Sequence, residues 1–407
     1  MRRRSFLGLA ATGVLTPAVA QAQPRTRWVN AWTSMPQLTE PGNMPPPPFT
    51  QDGLVLADAT LRQTVRVTTG GRRMRLRFSN AFGGAVLPIT AVTVALPKDG
   101  RAGVSAIQPD TVQRVTFSGK SSVDVPRGAL VVSDQLNFTL KPGTNLTVTT
   151  YLARGQASNE ITSHPGSRTT SHLLTGNHTE PADLPGATPT DHWYFLSGVE
   201  VRSSAPAVVV IGDSLTDGRG STTNGNDRWP DRLSDRLRGD VAVLNQAAGG
   251  NRVLADGLGP SVLARLDRDL LAQSGVRWLI LFEGVNDIGT AQPSEPAQKQ
   301  VADDLIGAYQ QILERAHAHD IKVFGATLLP FGGSGYDDGF REDARQTVNR
   351  WIRTSRRFDA VLDFDAAVRD PASPRRLLPA ADVGDHLHLN PVGYRMLADA
   401  VPLTLFR

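Results

Sequence analysis

After residue 206 the sequence stops alternating and becomes a series of unbroken apolar runs: AVVVIG, VAVLNQ, RWLILFEG, KVFGATLLP and AVLDF. A strand that is apolar at nearly every position has no face to turn to water, so it must be covered on both sides. Amphipathic stretches such as 301–317 and 343–356 lie between the runs and supply that cover. Strands alternating with helices build a parallel sheet layered between helices, so an α/β fold is expected over residues 207–407. In such sheets ligands bind at the carboxyl ends of the strands. The residues just after each run are therefore the ones to read for chemistry.

Residues 28–201 obey a different period. Short runs such as TLRQTVRVTT, RMRLRFSN, ITAVTVALP, NLTVTTYLA and WYFLSGVEV are separated by glycine, proline and polar turn residues. In RMRLRF, Met74, Leu76 and Phe78 alternate with Arg73, Arg75 and Arg77, which gives one apolar and one charged face. Many short alternating strands predict a separate all-β domain, a sandwich or a jelly roll. The proline run at 45–48 reads as an extended loop. With 407 residues the chain can fill two cores, and with no cysteine it must hold both by burial alone. The same absence excludes a cysteine nucleophile and a thiolate metal site.

Residues 1–22 set Arg2, Arg3 and Arg4 before a short apolar run and end in small residues, the pattern of a cleaved export signal. Arg3 and Arg4 resemble a twin-arginine signal, which implies export of the folded protein to the periplasm or beyond. The apolar run falls short of a membrane span, so no lasting anchor is expected after cleavage. Removing the three arginines takes the formal net charge from +4 to +1, and nothing points to a nucleic-acid partner.

Four of the strand ends carry polar clusters. The first is GDSLTDG with Ser214, where the chain turns toward a helix; the local alternative is that Ser214 or Asp213 is only a helix cap. The elbow pattern G-x-S-x-G is not met, since Thr216 occupies the second glycine position, which argues against the α/β-hydrolase fold. Next come NQAAGGN with the pair Gly249 and Gly250, EGVNDIG with Asn286 and Asp287, and DHLHLNPVGY with Asp385, His386 and His388. A serine hydroxyl attacks only when a base removes its proton, and a histidine base needs an acceptor on its other nitrogen. Asp385 stands three residues before His388, within reach across a turn. Ser214, Gly250 and Asn286 can supply three N–H donors to a developing oxyanion. This chemistry calls for no cofactor and no metal.

Together the four blocks resemble the SGNH, or GDSL, hydrolase family over 207–407. The resemblance implies a flavodoxin-like three-layer sandwich, a triad of Ser214, His388 and Asp385, and an oxyanion hole of the Ser214 N–H, the Gly250 N–H and the Asn286 amide. Gly249 is the alternative glycine. The longer block GDSLTDGRGSTTNGNDRWPDRLSDRL resembles secreted members grouped with acetyl xylan esterases, which implies deacetylation of plant-type polysaccharide, with lipase, arylesterase or thioesterase action on small acyl esters as the alternative. The substrate is in either case an acyl ester, small or polymeric. Two other readings compete. A metal hydrolase would use His386 with His388, or His317 with His319, but alternation on an extended segment separates the first pair and the second lies at a helix end. A carbohydrate-binding protein with a vestigial site is opposed by the complete set of site residues. Trp229 reads as core, Asp217 and Asn251 as neighbours of the crevice, and His164, His172, His178 and His192 as scattered surface or core residues.

Overall fold

A computed structural model describes residues 26–407; the export signal expected at 1–22 lies outside the described residues. The first half is all β. A four-stranded antiparallel sheet runs in the order Arg27–Thr33, Leu196–Ser203, Met74–Ser79, Leu130–Val132. A six-stranded antiparallel sheet runs Thr188–Thr190, Ser171–Thr175, Ala59–Arg66, Asn145–Leu152, Ala91–Ala95, Gln113–Val115. Leu76, Phe78, Val199 and Val201 of the first share one buried core with Leu61, Val65, Val94 and Val148 of the second. Two antiparallel sheets closed over a common core form a sandwich.

The second half contains the parallel sheet. Its strands are β1 (Ala207–Gly212), β2 (Ala242–Asn245), β3 (Val276–Phe282), β4 (Lys322–Ala326) and β5 (Ala360–Leu362). The order is β2-β1-β3-β4-β5, all parallel, which is the flavodoxin-like arrangement. Val208, Val209, Val210 and Ile211 are all fully buried, as consecutive residues can be only when both faces of the strand are covered. Leu305, Tyr309 and Ile312 of helix Glu295–His317 and Tyr394 and Leu397 of helix Pro391–Asp399 belong to that covering core. Strand order reverses on either side of β1, so the crevice beyond its carboxyl end is the natural place for a site.

The β sandwich docks on the free edge of this sheet. Thr68 Oγ1 accepts from Val243 N at 3.0 Å, on edge strand β2, and also lies 3.2 Å from Val243 O. An uncovered edge strand is a template for aggregation, and the sandwich removes it. Val29 of the sandwich is fully buried in the core of the parallel-sheet half, a placement that stabilises the junction by about 1.5–3 kcal/mol. The arginine face of RMRLRF takes part as well. Arg75 lies opposite Glu200 and pairs with it at 2.5 Å, and Arg77 reaches Gln273 Oε1 at 3.3 Å across the junction. One arginine of the charged face thus meets the other half of the chain.

Candidate active site

β1 ends at Gly212, and the next residues make a single helical turn, α1 (Ser214–Asp217). Asp213 caps it by accepting the Leu215 N–H at 2.8 Å. Gly218, at φ 102°, ends the turn in a conformation that glycine adopts freely, and its N–H bonds Ser214 O. The cap role therefore belongs to Asp213, and the Ser214 hydroxyl is left for another partner. With only one turn, α1 offers its local N–H groups rather than the macrodipole of a long helix.

That partner is His388. Ser214 Oγ lies 2.8 Å from His388 Nε2, and His388 Nδ1 lies 2.7 Å from Asp385 Oδ2. The other carboxylate oxygen of Asp385 accepts the N–H groups of His388 at 2.8 Å and Leu387 at 3.1 Å, which fixes the turn between acid and base. Burial works against a charged Asp385, but those N–H groups and the imidazole outweigh it and hold the carboxyl down at about 2. For His388 burial pushes the pKa below the usual 6.5, Asp385 opposes, and the cations Arg219 and Arg168 add to the lowering. The imidazole is thus neutral near pH 7, with Asp385 holding the proton on Nδ1 and Nε2 facing the serine.

The loop after β2 lies beside this chain of hydrogen bonds. Ala248 N donates to Gly212 O at 3.1 Å and Gln246 N to Val210 O at 2.9 Å, so the exits of β1 and β2 are tied backbone to backbone. The fully buried Arg265 holds the loop from behind, donating to Gln246 O at 2.6 Å and to Asn251 Oδ1 at 3.1 Å. Asp287 accepts from Val253 N and Leu254 N, both at 2.9 Å. The two glycines differ in one decisive respect. Gly249 N–H is taken up by Asp217 Oδ2 at 2.9 Å, whereas among the described residues no protein acceptor faces the N–H of Gly250 or of Ser214. Asn286 donates through Nδ2 to Asn251 O at 2.9 Å and accepts at Oδ1 from Tyr336 at 3.1 Å, which orients the amide with one N–H still unused.

Ser214, Gly250, Asn286 and His388 all line one cleft of about 520 Å³. The sandwich contributes the facing wall, with Gln37, Glu40, Asn43, Arg168, Asp191 and His192. Residues 210–396 match the GDSL-like lipase/acylhydrolase family. The chain carries a GDSL-like acylhydrolase domain and is a carboxylic ester hydrolase. Among solved structures its GDSL region is similar to an acetylxylan esterase from Geobacillus stearothermophilus (21% identity, 48% of this chain and 91% of that chain, TM-score 0.36), a GDSL-like lipase from Bacteroides thetaiotaomicron VPI-5482 (19%, 48% and 84%, 0.35) and the acetyl xylan esterase AlAXEase (19%, 48% and 96%, 0.37). No curated protein matches the chain.

The structure also places the other residues that the sequence singles out. His386 and His388 are not on an extended segment: His386 has φ 62° in a series of bends, and its Nδ1 pairs with Asp382 Oδ2 at 2.6 Å, away from the site. His317 ends its helix and meets Asp359 at 2.9 Å. Trp229 is fully buried against Phe364, with its N–H on Thr216 Oγ1 at 3.1 Å, a core residue that also braces α1. Asn251 holds Leu258 O and Pro260 O within its own loop. His164 and His192 are not scattered. His192 lines the cleft, and His164 bonds Asp217 three residues after Ser214. No local motif marks either, because each reaches the site through a contact far away in the chain.

Proposed function

We propose that Ser214 is the nucleophile of this esterase, His388 its base and Asp385 the acceptor that orients the base. The observation that carries the reading is the unbroken chain of contacts from Ser214 Oγ through the imidazole to Asp385, at 2.8 and 2.7 Å, on the floor of an open cleft. Ser214 Oγ attacks the acyl carbon as its proton passes to His388 Nε2. The carbonyl oxygen gains the negative charge and takes up hydrogen bonds from Ser214 N, Gly250 N and Asn286 Nδ2. Collapse expels the alcohol, which leaves with the proton from His388, and an acyl-serine remains. Water then repeats the sequence, releasing the acid and restoring the hydroxyl.

The substrate we assign is an O-acetyl group on a plant-type polysaccharide, met outside the cytoplasm after export directed by residues 1–22. The cleft is open, and its sandwich wall is lined with amide, carboxylate, imidazole and guanidinium groups that suit a hydroxyl-rich ligand better than an acyl chain. The test compares wild type with Ser214→Ala on p-nitrophenyl acetate, longer p-nitrophenyl esters and acetylated xylan. Loss of at least about a thousandfold on every substrate is expected of Ser214→Ala. Equal rates in the two proteins would overturn the serine mechanism, and a wild type that prefers long acyl chains would overturn the polysaccharide assignment.

A further inference from the structure

Half-buried Arg168 and exposed Arg219 have no side-chain protein partner among the described residues. Arg168, from the sandwich, and Arg219, just past α1, both line the cavity that holds Ser214. Among the described residues neither guanidinium has a carboxylate within 4.0 Å, and Arg168 Nε is buried without a hydrogen bond. A buried guanidinium N–H left unpaired is costly, so its retention at a cleft wall calls for a ligand acceptor.

The backbone around Arg168 is built to present it. Arg168 has φ 50°, in the left-handed region that non-glycine residues rarely enter. Asn224 holds that conformation from the other half of the chain: its N–H donates to Arg168 O at 2.9 Å, its Oδ1 accepts from Thr170 N at 2.8 Å, and its Nδ2 donates to Thr170 Oγ1 at 3.0 Å. Arg219 is anchored likewise, with its N–H on Ser214 O at 3.0 Å and its carbonyl on the Tyr394 hydroxyl at 2.6 Å. The acids of the same cleft are already engaged. Glu40 accepts from Gln37 at 2.6 Å and Asn43 at 2.9 Å, Asp191 from Thr170 at 2.8 Å, and Asp217 is held by His164 and Gly249 at 2.9 Å each.

Resting on the esterase reading above, we propose that Arg168 and Arg219 form an anion subsite that binds a carboxylate or phosphate on the alcohol portion of the ester. The alcohol leaves on the side where His388 delivers its proton, and both arginines stand close enough to His388 to disfavour its charged form. A guanidinium fork matches both oxyanions, and the two arginines approach from different halves of the chain, so the sandwich becomes part of substrate recognition. Within the polysaccharide assignment this selects acetylated acidic sugars over neutral ones.

The test uses three acetate esters with related leaving groups: methyl 4-acetoxybenzoate, 4-acetoxybenzoate and 4-acetoxyphenyl phosphate. The double variant Arg168→Gln, Arg219→Gln is expected to lose about tenfold to a hundredfold more kcat/KM on a charged ester than on the methyl ester. The carboxylate and phosphate arms tell which anion the subsite takes. In wild type, raising the salt concentration is expected to lower kcat/KM for the charged ester and leave the methyl ester nearly unchanged, a readout that needs no variant to fold. Turnover of all three esters with equal dependence on the arginines and on salt would overturn the subsite and leave the serine mechanism standing. No turnover of any of them by wild type would overturn both.

Discussion

His164 and Asp217 join the two halves of the chain directly beside Ser214: His164 Nε2 lies 2.9 Å from Asp217 Oδ1, and both side chains are buried. The other ring nitrogen faces Met35 O at 3.0 Å. The second oxygen of Asp217 takes the Gly249 N–H. The sandwich therefore reaches through one hydrogen bond to the loop that carries Gly250. Gly166 packs so tightly on the same carboxylate that a methyl group there would sit 1.8 Å from Asp217 Oδ2.

His164→Ala is expected to leave Asp217 buried with a single partner and to lower stability by about 1–3 kcal/mol, the usual cost of leaving a buried hydrogen-bonding group unsatisfied. At temperatures where the variant is still folded, kcat should fall about tenfold with KM little changed, because the loop bearing the oxyanion donor is loosened while the cleft wall stays. Thermal melts and steady-state kinetics on p-nitrophenyl acetate separate the two effects. A variant that melts lower but turns over like wild type would show the pair to be purely structural.

The acidic limb of the kcat/KM profile reports the free enzyme's base. Burial, Arg219 and Arg168 lower the His388 pKa against the pull of Asp385, and the base works only when neutral. Activity should therefore rise with pH through a midpoint below 6.5, the ordinary histidine value. Arg219→Gln removes one of the two cations and should move the midpoint upward. A wild-type midpoint above 6.5 would contradict the assignment of His388 as base.

Beneath α1, burial pushes the Asp213 carboxyl up to about 7, with Asp287 and Asp217 adding to the rise against the Leu215 N–H and Glu283. Its folded pKa exceeds its unfolded value, so the folded protein binds the proton more tightly, and stability from this group is full below about pH 4. It is lost as pH rises from about 4 to about 7. Asp213→Asn stays neutral and keeps an oxygen for the Leu215 N–H. The stability of wild type relative to this variant should thus fall between pH 4 and 7, measured by denaturant melts at several pH values. A constant difference would show that Asp213 is not protonated in the folded state.

What could be read from the sequence follows the range of each interaction. Ser214 and Asn286 stand at strand ends, where the periodicity of the strands places them, and Asp385 meets His388 within one turn on the segment before the last helix. The parallel sheet was legible because burial on both faces leaves unbroken apolar runs. The sandwich was legible as a class but not in its strand order, since its pairing joins segments as distant as Arg27–Thr33 and Leu196–Ser203. His164, Arg168 and Glu40 lie in the sandwich and reach the cleft only when the two halves dock, so no local pattern announces them. For Arg75 and Arg77, alternation tells which face is polar but not what that face meets.

Gly249 and Gly250 differ in a long-range contact that composition does not show, and they supply the sharpest contrast to test. Gly250 has φ 72°, and a methyl group there would stand 2.5 Å from Leu258 Cδ1. Gly250→Ala must shift either the backbone or Leu258, and the N–H aimed at the oxyanion moves with it. Losing one such donor costs about a hundredfold to a thousandfold in kcat. At Gly249 the only atom near an added methyl is Asp217 Oδ2, at 3.8 Å, an ordinary contact, and its N–H stays with Asp217. Gly249→Ala should therefore retain most of the wild-type kcat while Gly250→Ala loses at least about a hundredfold, with KM changing little in either. The reverse pattern would make Gly249 the oxyanion donor and require Asp217 to release its N–H when substrate binds.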